Sequence, residues 1–136
     1  MKSTDTSTEL YDYFLNNCDN LEFIDLSGLK LITKIGDNFL GFCSALNEID
    51  LNPLSNVSIL GSGFLDNGSS LKNINLTPLD NITTIEGSFM RSCSGLSHID
   101  LTPLQYVSNI DYTFLGYCTG LSEIDLSPFE HVKTIG

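Results

Sequence analysis

When the sequence is written in rows of 25 residues, one vertical column contains only aspartate and asparagine, whose side-chain oxygens can attract a cation. The column consists of Asp25, Asp50, Asn75, Asp100 and Asp125. Carboxylates about 5 Å apart on stacked strands repel by roughly 1 kcal/mol per pair in water. Such a ladder would suit a basic partner or Ca²⁺, although Ca²⁺ prefers six to eight oxygens from a shaped loop. The alternative is a surface position that repeat duplication copied, and we expect no metal site.

A second column, two residues before the first, varies from repeat to repeat. Its members are Phe23, Glu48, Asn73, His98 and Glu123. Variation on a fixed scaffold is typical of a recognition surface, and equally of an unconstrained surface. Aromatic side chains often anchor protein interfaces, so Phe23 is the strongest single contact candidate. The two columns together form the predicted binding site.

His98 is the residue in these columns best suited to act as a general base. Asp100, on the same predicted face, and Glu123, one repeat further on, could orient its ring. No serine or cysteine nucleophile accompanies it in a pocket, and an open sheet does not exclude water. We therefore predict that the protein is not an enzyme and carries no cofactor.

The four cysteines also follow the 25-residue spacing. They contain no C-x-x-C motif, which argues against a zinc knuckle or a thioredoxin-like site. The column therefore predicts buried free thiols that pack as small hydrophobic side chains. Disulfides between adjacent repeats stay open, although parallel side chains in a ladder rarely meet the required torsion. The column reads Cys18, Cys43, Gly68, Cys93 and Cys118.

Apolar residues also recur every 25 positions, and they show how the polar and cysteine columns are positioned. No insertion breaks the register, so the chain predicts about five stacked 25-residue units. The clearest columns are Phe14, Phe39, Phe64, Phe89 and Phe114; Leu21, Leu46, Leu71, Leu96 and Leu121; Ile24, Ile49, Ile74, Ile99 and Ile124; and Leu26, Leu51, Leu76, Leu101 and Leu126.

Each unit divides into three short segments. Residues 46–51 match the pattern L-x-x-I-x-L and predict a half-buried strand, which Pro53 ends because proline lacks an N–H. Val57 and Leu60 mark a second short extended segment. Residues 39–43 have the apolar spacing of one helical turn. Stacked units would bury their apolar edges against each other.

The predicted fold class is an α/β repeat solenoid with a parallel β-sheet on its concave face. We expect residues 1–13 to form a partial N-terminal cap and residues 14–136 to form the solenoid. Because the last unit stops in its middle, we expect the solenoid to continue beyond residue 136 in a longer protein. An uncovered end of the stack also predicts end-to-end self-association through the C-terminal face.

The chain is strongly acidic, with 6 lysine and arginine residues against 17 aspartate and glutamate residues and a net charge of −11. Nucleic acids and anionic membranes are polyanions, so we expect no nucleic-acid binding. The acidic charge fits a basic protein partner, but it is explained more simply by solubility. No apolar run approaches the ~20 residues that a membrane helix needs, so no membrane insertion is predicted. The first residues lack the apolar core of a secretory signal, which leaves an intracellular location open.

The full unit, C-x-x-L-x-x-I-D-L-x-P-L-x-x-V-x-x-I-G-x-x-F-L-x-x-C, resembles the BspA-like leucine-rich repeats. The resemblance extends from Leu10 to Gly136. The chain departs from the family unit in two ways: the spacing between the strand and the proline is longer, and Phe39-Leu40 replace Ala-Phe. It is therefore a divergent 25-residue repeat. It implies a surface or secreted protein that acts in adhesion and protein binding through its concave face. A structural spacer or self-assembling segment of a larger surface array is the alternative. The positions that carry it are Cys43, Leu46, Ile49, Pro53, Val57, Leu60 and Gly61.

Overall fold

A computed structural model of the chain describes residues 8–111 and 113–132 and shows a solenoid of stacked 25-residue coils. Four two-residue strands form one parallel sheet in the order β1-β2-β3-β4, with Glu9 paired to Lys34 and Lys34 to Ile59. Short 3-10 helices stack on another side. The elements are β1 Glu9–Leu10, η1 Ser27–Leu29, β2 Lys34–Ile35, η2 Asn52–Leu54, β3 Ile59–Leu60, η3 Thr77–Leu79, β4 Thr84–Ile85, η4 Thr102–Leu104 and η5 Ser127–Phe129.

The repeat solenoid with a parallel sheet is confirmed, but the strands lie elsewhere in the unit than predicted. They fall in the second extended segment, around Leu60, and not in residues 46–51. In residues 46–51 the Leu46 N–H donates within its own coil to the Cys43 carbonyl at 3.2 Å, and the Asn47 N–H donates to the Glu22 carbonyl of the preceding coil, also at 3.2 Å. At the far end, the chain turns directly into η2. A single backbone bond to the preceding coil does not make a ladder, so this segment is not a strand of the sheet.

The predicted helical turn at residues 39–43 is wrong. The backbone there adopts positive φ at alternate residues, 60° at Asn38, 52° at Leu40 and 61° at Phe42. The N–H groups of Leu40 and Phe42 point to opposite neighbouring coils: Leu40 donates to the Phe14 carbonyl at 2.9 Å and Phe42 to the Asp66 carbonyl at 2.7 Å. A left-handed non-glycine residue costs roughly 1–2 kcal/mol. The bonds between coils and the burial of the apolar side chains offset that cost.

The core is a set of ladders that run along the solenoid axis. Phe39, Phe64 and Phe89 are at most 1% exposed, and their rings stack with centroids 5.4 and 5.6 Å apart. The stack continues to Phe14 on one side and Phe114 on the other, where Phe129 meets the last ring edge-on at 86°. Each coil thus buries its apolar edge only against its neighbours, as the repeat predicted.

The first described coil already follows the repeat register. Leu10 pairs with Ile35 in the sheet, and the Tyr13 N–H donates to the Asp37 carbonyl at 2.6 Å. Residues 1–7, 112 and 133–136 lie outside the described residues. The partial cap over residues 1–13 and the solenoid over residues 14–136, with its continuation, therefore stay predictions.

Gly68 occupies the slot that cysteine fills in the other coils. The Cys43 thiol donates to the Leu15 carbonyl at 3.1 Å, and the Cys93 thiol donates to the Leu65 carbonyl at 3.2 Å. Gly68 does not adopt a left-handed φ, and a Cβ there would lie 3.3 Å from the Leu65 carbonyl oxygen and from Leu71 Cδ1, which must give way by a few tenths of an ångström, and 3.5 Å from Cys93 Sγ. By the repeat spacing, a cysteine at this position would direct its thiol toward the Leu40 carbonyl.

We expect Gly68→Cys to raise the free energy of unfolding by about 1 kcal/mol, since it removes glycine entropy from the unfolded chain and fills the slot. Urea denaturation under reducing conditions measures the change. Gly63→Ala is the matched control and should destabilise the protein, because Gly63 has a φ of 79°. A loss of stability in Gly68→Cys would show that this turn requires glycine.

Candidate protein-binding surface

The two predicted binding columns lie side by side on one exposed surface. We call Phe23, Glu48, Asn73, His98 and Glu123 the variable column, and Asp25, Asp50, Asn75, Asp100 and Asp125 the Asx column; every one of these residues is exposed. Between them, Ile24, Ile49, Ile74 and Ile99 are half-buried. The prediction that these residues are exposed is confirmed, but they lie outside the strands of the parallel sheet, where the sequence analysis placed them. Their role in binding stays a prediction.

Every member of the Asx column has a structural task that the sequence analysis did not identify. Asp50 Oδ1 accepts the Asn52 N–H at 2.9 Å, and Asn75 Oδ1 accepts the Thr77 N–H at 3.0 Å. The equivalent bonds recur at Asp25, Asp100 and Asp125. Each is an Asx turn that satisfies a free N–H at the start of a 3-10 helix. The sequence feature that could have predicted these turns is the recurring D-L-x-P motif, which places the aspartate oxygen just before a turn that contains proline.

These turns also change the acidity of the carboxyl groups. The backbone N–H of Ser27 lowers the pKa of Asp25, and those of Thr102 and Ser127 lower the pKa of Asp100 and Asp125. A carboxyl whose pKa is lowered by folding stabilises the folded state above its unfolded value, here the ordinary 3.8. That contribution is lost as the pH falls through the lowered folded value.

We expect Asp100→Asn to reduce the acid sensitivity of the fold. The amide oxygen keeps the turn, as Asn75 shows, but it cannot gain or lose a proton. The Tm of the natural chain should therefore fall relative to the Tm of Asp100→Asn as the pH drops below about 4. Asn75→Asp is the converse variant and should become more acid-sensitive. A Tm difference that is constant from pH 6 to pH 3 would contradict this account.

His98 is not arranged as a catalytic base. Its Nδ1 lies 3.4 Å from the Ser97 hydroxyl, while Asp100 Oδ1 is bonded to the Thr102 N–H. Among the described residues, no hydrogen bond joins His98 to Asp100 or Glu123, the two carboxylates that could orient its ring. In the part of the chain that the structure describes, no group of three or more histidine, cysteine or acidic residues could hold a metal ion.

The cysteine ladder is a packing feature. Cys43, Cys93 and Cys118 are buried and Cys18 is half-buried, and all four are free thiols. Burial raises the pKa of Cys43 and Cys118, and raises that of Cys93 to about 12. Thiols with such raised pKa values are poor nucleophiles at neutral pH. Cys43, Cys93 and Cys118 therefore contribute to the core as packed side chains.

One buried ion pair escaped the sequence analysis. The Arg91 guanidinium donates to both carboxylate oxygens of Asp66, at 3.2 and 2.9 Å, and the Asp66 side chain is 5% exposed. Asp66 and Arg91 occupy equivalent positions in adjacent coils. The same position is glycine in the coils on either side, at Gly41 and Gly116. The sequence feature that could have predicted this ion pair is the presence of opposite charges one repeat length apart. The pair joins the third coil to the fourth and lies outside the binding columns.

Among the described residues, no helix is both long and apolar enough to span a bilayer.

The chain matches a family model described as a BspA type leucine rich repeat region, in six copies over residues 8–136. A search of curated proteins gives no match. Among solved structures, the functional domain of InlJ from Listeria monocytogenes, described as including a cysteine ladder, is similar with a TM-score of 0.43 and 15% sequence identity. The similarity covers 88% of this chain and 28% of that chain.

Proposed function

We propose that this chain, which belongs to the BspA type leucine-rich repeat family, is a non-catalytic module that binds another protein through the surface of its variable and Asx columns. Leucine-rich repeats of this kind generally mediate protein–protein interaction or adhesion. The family resemblance also favours a location at the cell surface or in secreted material. Proteinase treatment of intact cells should remove the protein if that location is correct.

The observation that carries the proposal is the contrast between the two exposed columns. The Asx column is nearly constant because each member holds the turn that begins a 3-10 helix. Two residues away, the variable column changes from aromatic to acidic to amide to imidazole. Its members support no comparable turn, so the fold leaves their identity free for recognition.

The charge of the chain supports a basic partner. The net charge is −11, and both columns add carboxylates to the same surface. Complementary charge accelerates association and excludes partners of like charge. We therefore propose a basic protein partner, and no nucleic acid.

Charge reversal that leaves the turns intact tests this surface. Glu48→Lys with Glu123→Lys changes the variable column, and Asp80→Lys with Glu130→Lys makes the same charge change on another exposed column. A partner captured by the natural chain and then purified should lose about tenfold or more in affinity for the first variant, and about twofold or less for the second. Equal losses would show attraction to net charge alone. No loss in either variant would place the binding surface elsewhere.

A structural spacer or self-assembling segment is the second candidate. In the last described coil, Leu126 is 44% exposed, whereas its equivalents Leu51 and Leu101 are each 2% exposed beneath the next coil. In this second proposal, a coil of a second copy stacks on that surface. Light scattering over a concentration series should show mass growth that Leu126→Lys abolishes. A monomer at every concentration would argue against self-assembly.

A further inference from the structure

A depression in the binding surface lies between the first two described coils. We call it the Phe23 pocket; its lining residues are Phe23, Ile24, Glu48, Ile49 and Asp50. It encloses about 370 Å³, which is room for one long side chain. The pocket is open to solvent, so a partner can enter it without any movement of the fold.

The lining combines three kinds of surface. Ile24 and Ile49 are half-buried and form an apolar floor. The Phe23 ring is 61% exposed, and within the described chain it stacks on no other aromatic ring. An aromatic face attracts a cation within about 6 Å, and an apolar floor accepts the methylene stem of a long charged side chain.

The acidic side of the pocket has free acceptor capacity. Asp50 uses Oδ1 to accept the Asn52 N–H, and no described residue donates a hydrogen bond to the Glu48 carboxylate. A carboxylate with both oxygens free can accept two parallel N–H groups from a planar guanidinium. Arginine also stacks on aromatic faces, whereas lysine presents a compact point charge.

The next coils do not repeat this combination. The equivalents of Glu48 and Asp50 are Asn73 and Asn75 in the third coil, and His98 and Asp100 in the fourth. The fifth coil repeats the two carboxylates, as Glu123 and Asp125, but there His98 stands in place of Phe23. The phenyl ring beside the two carboxylates therefore distinguishes the Phe23 pocket from the rest of the surface.

We infer that the Phe23 pocket binds the side chain of an arginine on the protein partner, with the guanidinium against Glu48 and Phe23 and the methylene stem over Ile24 and Ile49. This inference rests on the proposed protein-binding function and names one determinant of the partner. The net charge of −11 would favour the approach of such a residue.

Blocked amino acids test the pocket directly. N-acetyl-arginine methylamide, titrated into ¹⁵N-labelled protein and followed by NMR, should bind with a dissociation constant in the millimolar range. The citrulline counterpart, which has nearly the same shape without the charge, should bind about tenfold more weakly. The lysine counterpart should bind severalfold more weakly than arginine.

Variants of the chain locate the binding. Phe23→Leu and Glu48→Gln should each weaken arginine binding by about threefold to tenfold, while Glu130→Gln, which changes an exposed glutamate outside both columns, should leave it unchanged. Equal affinity for arginine and citrulline, or for arginine and lysine, would overturn the inference. So would equal effects of the Glu48 and Glu130 substitutions.

The inference and the proposed function can fail separately. If a protein partner loses affinity for the Glu48→Lys, Glu123→Lys variant but binds Phe23→Leu normally and has no essential arginine, the binding surface stands and the arginine pocket is wrong. If blocked arginine binds as described while no protein binds the columns, the pocket stands and the proposed function fails.

Discussion

Phe64→Ala is expected to lower the free energy of unfolding by about 3–5 kcal/mol. The ring is 1% exposed and stacks on Phe39 at 5.4 Å and on Phe89 at 5.6 Å. Its removal leaves a cavity that interrupts the aromatic ladder in the middle of the solenoid. Urea denaturation followed by circular dichroism measures the change. The urea midpoint should fall clearly, because the loss is a large part of the roughly 5–15 kcal/mol that stabilises a typical protein.

Phe14→Ala is the matched control for this prediction. Phe14 is half-buried and stacks on Phe39 at 5.7 Å on one side, so its loss should cost less than the loss of Phe64. Phe64→Leu should lie between the natural chain and Phe64→Ala, because it retains most of the buried volume. Equal costs at Phe14 and Phe64 would contradict the view that stability comes from contacts between successive coils.

Arg91→Met is expected to destabilise the protein by about 3 kcal/mol, at the low end for loss of one partner from a buried ion pair. The substitution leaves the Asp66 carboxylate, 5% exposed, without its counterion. The Arg91 side chain is 36% exposed, so water can reach one side of the pair and moderate the loss. Thermal and urea unfolding both report this change.

Removing both charges should restore most of that stability. In Asp66→Leu with Arg91→Met, no unpaired charge remains in the core, and replacement of a buried pair by apolar side chains is often close to neutral. A double-mutant cycle should therefore give a coupling of about 1–3 kcal/mol between the two sites. Additive losses would mean that each side chain stabilises the solenoid independently.

The predicted binding site shows where sequence patterns reached their limit. The period identified the exposed columns, because a residue that follows a buried one by one position turns to the other side of an extended chain. It could not show that Asp50 holds the Asn52 N–H, since a conserved spacing is compatible with recognition and with a turn. The Phe23 pocket likewise depends on how neighbouring coils place Phe23 beside Glu48.

The sequence by itself determined the repeat, its length and register, the aromatic and leucine ladders, and the exposed columns. These follow from side-chain hydrophobicity at a fixed period, which requires equivalent residues to stack. Only the tertiary structure decided which segment forms the parallel sheet and that residues 38–42 alternate through positive φ. Those outcomes depend on which carbonyl accepts each backbone N–H, one in the same turn or one in the neighbouring coil. The pattern of apolar side chains is the same in both cases, so it does not decide between them.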